Sequence, residues 1–224
     1  MAGFRHEWKI EINAMDAAVI RSRLRAVAKE DAHGRGGKYE IRSLYFDNLK
    51  DKALREKIDG VNTREKFRIR YYNKDISLIK LEKKRKYNGL TGKESVLLSA
   101  EEVQKIAEGD NSFMVHSGKK LLTELYSKMQ AQGLAPKTIV DYTREAFVYP
   151  AGNVRVTLDY NIRTGFGGTD FLNPDCVTIP AGDAGIIMEV KWDAFLPDII
   201  RDAVQLPGRR AGAYSKYAAC RIYG

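Results

Sequence analysis

The stretch Arg64–Tyr72 reads REKFRIRYY. It alternates with a period of two, the signature of a β-strand. Arg64, Lys66, Arg68 and Arg70 share one face, and Glu65, Phe67, Ile69 and Tyr71 share the other. A strand of this kind buries one face and wets the other. If the cations face bulk water, the sheet is an ordinary amphipathic one. If helices cover the apolar face, the four cations look inward.

The same alternation recurs along the chain. Strands are predicted at 5–12, 39–47, 76–84, 92–98, 138–150, 153–163 and 185–192. Their charged faces carry Glu7, Lys9 and Glu11; Lys80, Glu82 and Lys84; Arg155, Thr157 and Asp159; and Glu189 with Lys191. Arg144 stands in the strand before Arg155. Asn73-Lys74-Asp75, Asn88-Gly89 and Gly152-Asn153 supply turns. Helices are predicted at 16–30 with Asp16 as N-cap, at 99–108 from the Ser99–Glu102 capping box, and at 117–131. A glycine-rich loop runs from His33 to Gly37, a long loop covers 164–184, and a helical tail includes Ala213, Tyr217 and Ala218.

Taken singly, each strand reads as a sheet with a solvated charged face. Taken together, they meet a second requirement: the three helices carry apolar faces that need a sheet to cover. Helices on the apolar side turn the charged faces inward. Eight antiparallel strands close into a barrel, which removes exposed edges. The expected fold is therefore α+β, a closed antiparallel eight-stranded β-barrel with helices packed outside, in one domain over 1–224. A wet tunnel lined with Arg and Lys avoids most of the desolvation cost of a dry charged core.

Composition narrows the function. The 224 residues are 44 % hydrophobic and carry a net charge of +9. Such an excess points to a polyanionic partner: nucleic acid, a phosphorylated metabolite or an anionic membrane. Cations that alternate within strands, rather than lining a helix or loop patch, argue against nucleic acid. Cys176 and Cys220 make no C-x-x-C pattern, and His6, His33 and His116 do not cluster. No apolar run approaches the ~20 residues of a membrane span. A cytoplasmic protein without a transmembrane segment is expected.

Ten short motifs, in order, resemble the VTC domain, the polyphosphate polymerase domain within the triphosphate tunnel metalloenzyme (CYTH-like) superfamily. They are Arg5-His-Glu7-Trp-Lys9, Ser43-Leu-Tyr-Phe-Asp47, Lys57-Ile-Asp-Gly60, Arg68-Ile-Arg70-Tyr-Tyr72, Leu81-Glu-Lys-Lys84, Lys93, Tyr142-Thr-Arg144-Glu-Ala-Phe147, Val154-Arg155-Val-Thr-Leu-Asp159, Ile187-Met-Glu189-Val-Lys191 and Tyr214-Ser-Lys216-Tyr217. The resemblance covers nearly the whole length. Where the eukaryotic polymerases carry a second lysine three residues before the terminal one, this sequence has Ala213, with Arg209 and Arg210 as nearby cations.

The resemblance implies metal-dependent phosphoryl transfer on polyphosphate, with synthesis from ATP as the leading activity. Hydrolysis of inorganic or nucleoside triphosphates is the runner-up, and a non-catalytic polyphosphate or nucleic-acid binding module is the third reading. Phosphoryl transfer asks a protein for positioning and charge compensation. Lys9, Arg68, Arg70, Lys84, Arg144, Arg155 and Lys216 are the implied catalytic clamps. Lys57, Lys93 and Lys191 join them in binding substrate. Glu189 and Glu7 are the implied ligands for Mn²⁺ or Mg²⁺, with Glu82 a weaker candidate. Asp159 is expected to orient Arg155 or another tunnel cation, and Ser43, Tyr45 and Asp47 to support the barrel. The implied partners are ATP and inorganic polyphosphate or triphosphate; the oligomeric state is not legible.

Overall fold

The computed structural model describes residues 4–222, apart from His33, Arg35, Asp183 and Ala184. The predicted loop at 33–37 and the loop over 164–184 therefore lie partly outside the described residues. The chain begins with β1 (His6–Ile12), α1 (Ala14–Val27), β2 (Lys29–Glu30), β3 (Lys38–Asp47) and α2 (Lys52–Ile58). REKFRIRYY is β4 (Arg64–Tyr72), followed by β5 (Asp75–Tyr87) and β6 (Leu90–Leu98). Three helices come next: α3 (Ala100–Glu108), α4 (Phe113–His116) and α5 (Lys120–Gln132). The last third holds β7 (Ala135–Tyr149), β8 (Val154–Thr164), β9 (Ile179–Pro180), β10 (Ile186–Trp192), α6 (Asp198–Val204) and α7 (Lys216–Cys220).

Eight strands form one antiparallel path in the order β1-β10-β8-β7-β3-β4-β5-β6, with β2 beside β7 and β9 beside β8. The hairpin turns use left-handed backbone: Asn73 and Lys74 join β4 to β5, and Asn88 and Gly89 join β5 to β6, all with positive φ. Two consecutive left-handed residues give the turn whose twist matches that of its strands.

The sheet corrects the expectation of a closed barrel. It is an open half-barrel whose edges, among the described residues, touch at one bridge, where Arg5, just before β1, and Thr91 of β6 exchange two hydrogen bonds of 3.0 Å. Side chains, not a ladder, span the rest of that seam. Lys84 of β5 reaches Glu7 of β1 at 3.0 Å. The ring of Phe4 lies on Gly92, where a Cβ would stand 3.2 Å from it. The α+β class, the antiparallel eight-strand path and the external helices are as expected.

The apolar face of β4 is the outer one. Phe67, Ile69 and Tyr71 are buried under Val103 and Ile106 of α3 and Leu121, Leu122 and Leu125 of α5. Val154, Val156 and Leu158 of β8 and Met188 and Val190 of β10 pack likewise against Ile20 and Leu24 of α1 and Ile200 of α6. Parity then sends the alternate positions inward. The sequence did not foretell α2, α4, α6 or the two-residue strands, which lack a long apolar period. The N-cap of α1 is Asn13, not Asp16; Asp16 is the third helical residue of a reciprocal capping box.

Asp47, at the end of β3, ties two helices to the sheet. Its buried carboxylate accepts from the backbone N–H groups of Ala53 at 2.9 Å and Leu54 at 3.1 Å, capping α2. It also accepts from the Tyr217 hydroxyl on α7 at 2.7 Å. Asp47→Ala leaves two half-buried backbone donors and the buried Tyr217 hydroxyl without an acceptor and is expected to cost about 2–4 kcal/mol. Tyr217→Phe removes one bond and is expected to cost about 1 kcal/mol. Denaturant unfolding of the two variants checks both values.

Candidate active site

The inner face of the half-barrel encloses a cavity of about 740 Å³. Twelve lysine and arginine residues line it, against four carboxylates. The strand parity that buries the outer apolar side chains aims these groups at one another, so their charges are balanced in sets.

The first set sits on β3, β4 and β5. Arg68 places Nε and Nη2 on Glu82 Oε2 at 2.8 and 2.7 Å and donates through Nη1 to the Tyr45 hydroxyl at 2.8 Å. Arg70 donates to Ser43 Oγ at 3.3 Å and to the Tyr142 hydroxyl at 2.9 Å. It also lies 3.6 Å from Glu82, and Lys93 reaches the same carboxylate at 3.2 Å. Burial pushes the Glu82 carboxyl up, but Arg70, Arg68 and Lys93 together hold it well below the usual range. Glu82 is thus an ion-pair partner for three cations. Ser43, Tyr45 and Asp47, which share one motif, each hold a different group in place.

The second set joins β1, β5 and β10. Lys9 lies 3.2 Å from Glu7 and 3.5 Å from Glu189. Lys191 lies 3.6 Å from Glu7 and 3.1 Å from Glu189. Burial and the neighbouring Glu189 charge raise the Glu7 carboxyl, but Lys84, Lys9 and Lys191 hold it at about 2. Glu189 is likewise held well down against its burial, chiefly by Lys191, Lys9, Lys84 and Arg144. The lysines split. Lys9, between both carboxylates, is raised despite burial; Lys84 is lowered by burial and by Lys9 more than Glu7 lifts it.

The third set belongs to β7, β8 and α7. Arg144 grips Asp159 with Nε at 2.6 Å and Nη2 at 2.7 Å, the fork geometry that suits a carboxylate. Lys216, brought in by α7, meets the same Asp159 at 2.5 Å and stands over the Tyr142 ring. Burial opposes ionisation of Asp159, yet Arg144 and Lys216 keep its carboxyl at about 2. Asp159 therefore orients Arg144 and Lys216. Arg155 instead pairs with Asp31 at 2.6 Å and donates to the Tyr39 hydroxyl.

Lys9, Arg68, Arg70, Lys84, Lys93, Arg144, Arg155, Lys191 and Lys216 all line the cavity, as do Glu7 and Glu189. Lys57 does not; it stands on α2 and donates to the Ala213 carbonyl at 2.7 Å. Arg209 is bound to Asp16 of α1 at 2.6 Å, so it does not replace the lysine absent at Ala213. Sequence reasoning gave no site role to Arg5, Lys80, Tyr39, Tyr72 or Asp31, all of which line the cavity, and put Lys66 on the cationic face of its strand without a role. Strand parity held the signal for Lys66, Lys80 and Tyr72; nothing in the sequence marks Asp31, which follows β2.

Among the described residues no group of three or more His, Cys, Asp or Glu side chains could hold a metal ion. The Glu7–Glu189 pair is the remaining oxygen donor set. Opposite Glu189 in the β10–β8 register stands Thr157, whose buried hydroxyl has no hydrogen-bond partner among the described residues. Two carboxylates and a vacant hydroxyl suit a hard cation that takes its other ligands from phosphate and water.

No curated protein matches the chain significantly in sequence. Among solved structures it is similar to the PH1012 protein of Pyrococcus horikoshii OT3, at 12 % identity and a TM-score of 0.51, over 95 % of this chain and 96 % of that one. It is also similar to the PH1819 protein of the same organism, at 14 % identity and a TM-score of 0.43, over 89 % and 84 % of the two chains. The first likeness is one of fold. The model of the VTC domain matches residues 4–222, nearly the whole chain. Matched over nearly its whole length, and with most of its ten motifs contributing side chains to the cavity wall, the chain belongs to the VTC domain family.

Proposed function

We propose that the protein is a phosphotransferase that extends inorganic polyphosphate with the γ-phosphate of ATP. The observation that supports this most is the cation-lined cavity, in which Arg68, Arg70, Arg144 and Arg155 face one enclosed space. Guanidinium forks match phosphate oxygens in pairs, and lysines add point charges. A terminal phosphate oxygen of the growing chain attacks the γ-phosphorus. The bond from that phosphorus to the β–γ bridging oxygen breaks, and ADP leaves. The wall holds both anions in line and offsets the charge that spreads over the transferring oxygens. No protein nucleophile enters the reaction.

Glu189 and Glu7 would hold a divalent cation, which when bound neutralises charge on the phosphate oxygens. Lys9 and Lys191, shared between those two carboxylates, keep both ionised and aimed at the cavity.

Incubating the protein with ATP and Mn²⁺ or Mg²⁺ is expected to yield acid-insoluble polyphosphate and ADP. Orthophosphate without chain product would instead assign it as a triphosphatase, and tight polyphosphate binding without turnover as a binding module. Arg70→Lys keeps the charge but loses the fork, and turnover is expected to fall at least about tenfold. Arg→Ala is a poorer test at positions 68 and 70, because each also balances the buried Glu82. Glu189→Gln is expected to cut metal-dependent turnover by about 100-fold while tripolyphosphate binding holds or tightens, since a negative charge has left the wall. Titrating metal against rate, and tripolyphosphate against the apo variant, separates the two effects.

A further inference from the structure

The carboxylates of the wall are nearly all spoken for. Glu82 serves Arg68, Arg70 and Lys93; Asp159 serves Arg144 and Lys216; Glu7 and Glu189 serve the β1, β5 and β10 lysines. Lys66 takes no part in these pairs. Its ammonium stands 5.2 Å from the centre of the Tyr45 ring. That ring is fixed from another side by Tyr217, stacked at 5.0 Å, and at its hydroxyl by Arg68. Lys66 thus stands in the cavity wall against an anchored ring, and among the described residues no carboxylate accepts its ammonium protons.

Its position on β4 matters. Lys66 precedes Arg68 by two residues on the same face, a step of roughly 7 Å along the strand. Across the ladder it faces Lys84. It therefore continues the Arg70–Arg68 row toward Lys9 and the Glu7–Glu189 pair. We propose that Lys66, seated on Tyr45, grips a further phosphoryl group of the bound chain, at a subsite between Arg68 and the paired carboxylates. The inference rests on the reading of the cavity as a polyphosphate site and adds a residue and a location to it.

A second property follows from the surroundings. Tyr45 on β3, Lys9 and Glu7 on β1, Arg68 on β4 and Lys84 on β5 are the titratable and charged groups around this ammonium. Burial, with Lys9 and Arg68, holds it down at about 8 against the lifting effect of Tyr45 and Glu7. A polyanion favours the charged form and raises that value. The Tyr45 hydroxyl, which burial raises but Arg68, Lys66 and Arg70 hold at about 7, changes charge in the same window, so the proton drawn from solution on binding at pH 8 is shared by the Lys66–Tyr45 pair.

The test is calorimetric titration of the protein with metal-free tripolyphosphate at pH 8, in buffers of different ionisation enthalpy. Lys66→Met is expected to bind about tenfold more weakly and to take up less proton than the wild type. Lys66→Arg is expected to keep most of the affinity. Lys66→Gln, measured beside them, answers the same question should the Met variant fail to fold. Wild-type affinity and wild-type proton uptake in the Met or Gln variant would overturn the Lys66 subsite and leave the cavity reading standing. Failure of the wild-type protein itself to bind tripolyphosphate would overturn both.

Discussion

The structure depends on keeping many cations close together inside a curved sheet. Unit charges a few ångströms apart repel strongly wherever water is scarce. This chain answers with buried carboxylates, of which Glu7, Glu82, Asp159 and Glu189 are each shared by two or more cations. Glu82 and Asp159, at 1 % and 0 % exposure, lie beneath the arginines rather than in the cavity. They fix the guanidinium groups in place and leave their outer edges turned toward the space in front. Sharing is incomplete by design of the composition: the wall keeps a cationic surplus, which is the condition for drawing in a polyanion.

The outer half of the molecule makes that arrangement tolerable. Helices α1, α3, α5 and α6 supply the apolar partners that commit each strand to one orientation, and a slip of one residue would reverse every side chain. Asp47 extends the same logic to the C-terminal segment. By tying Tyr217 to β3, it sets Lys216 against Asp159 although the two lie far apart in sequence.

Much of this was legible in the sequence because both signals are periodic. REKFRIRYY gave the orientation of β4 through its parity, and Ser99–Glu102 gave the start of α3. The inward lysines and arginines followed from the same alternation. What remained hidden lacks a period. Asp31 reaches Arg155 from a short connection, and the cap that Asp47 gives α2 joins residues with no regular spacing. Lys57, a motif position that resembles a substrate ligand, stands on α2 and donates to a backbone carbonyl, a placement that no periodicity marks. Closure of the barrel was overestimated because strand count does not say whether the last two edges pair.

That unpaired edge has a mechanical meaning. Elsewhere in the wall, the spacing of strands is set by ladders of backbone hydrogen bonds. Between β1 and β6 it is set, among the described residues, by one bridge and an aromatic ring, with the Lys84–Glu7 ion pair reaching across from β5. The circumference of the cavity is therefore not a constant of the backbone but a quantity governed in part by side-chain electrostatics. The Lys84–Glu7 pair is mostly buried, so salt weakens it far less than it weakens the pull the cavity exerts on anions outside. The seam is also where local opening separates the fewest hydrogen bonds, making it the wall's most compliant line.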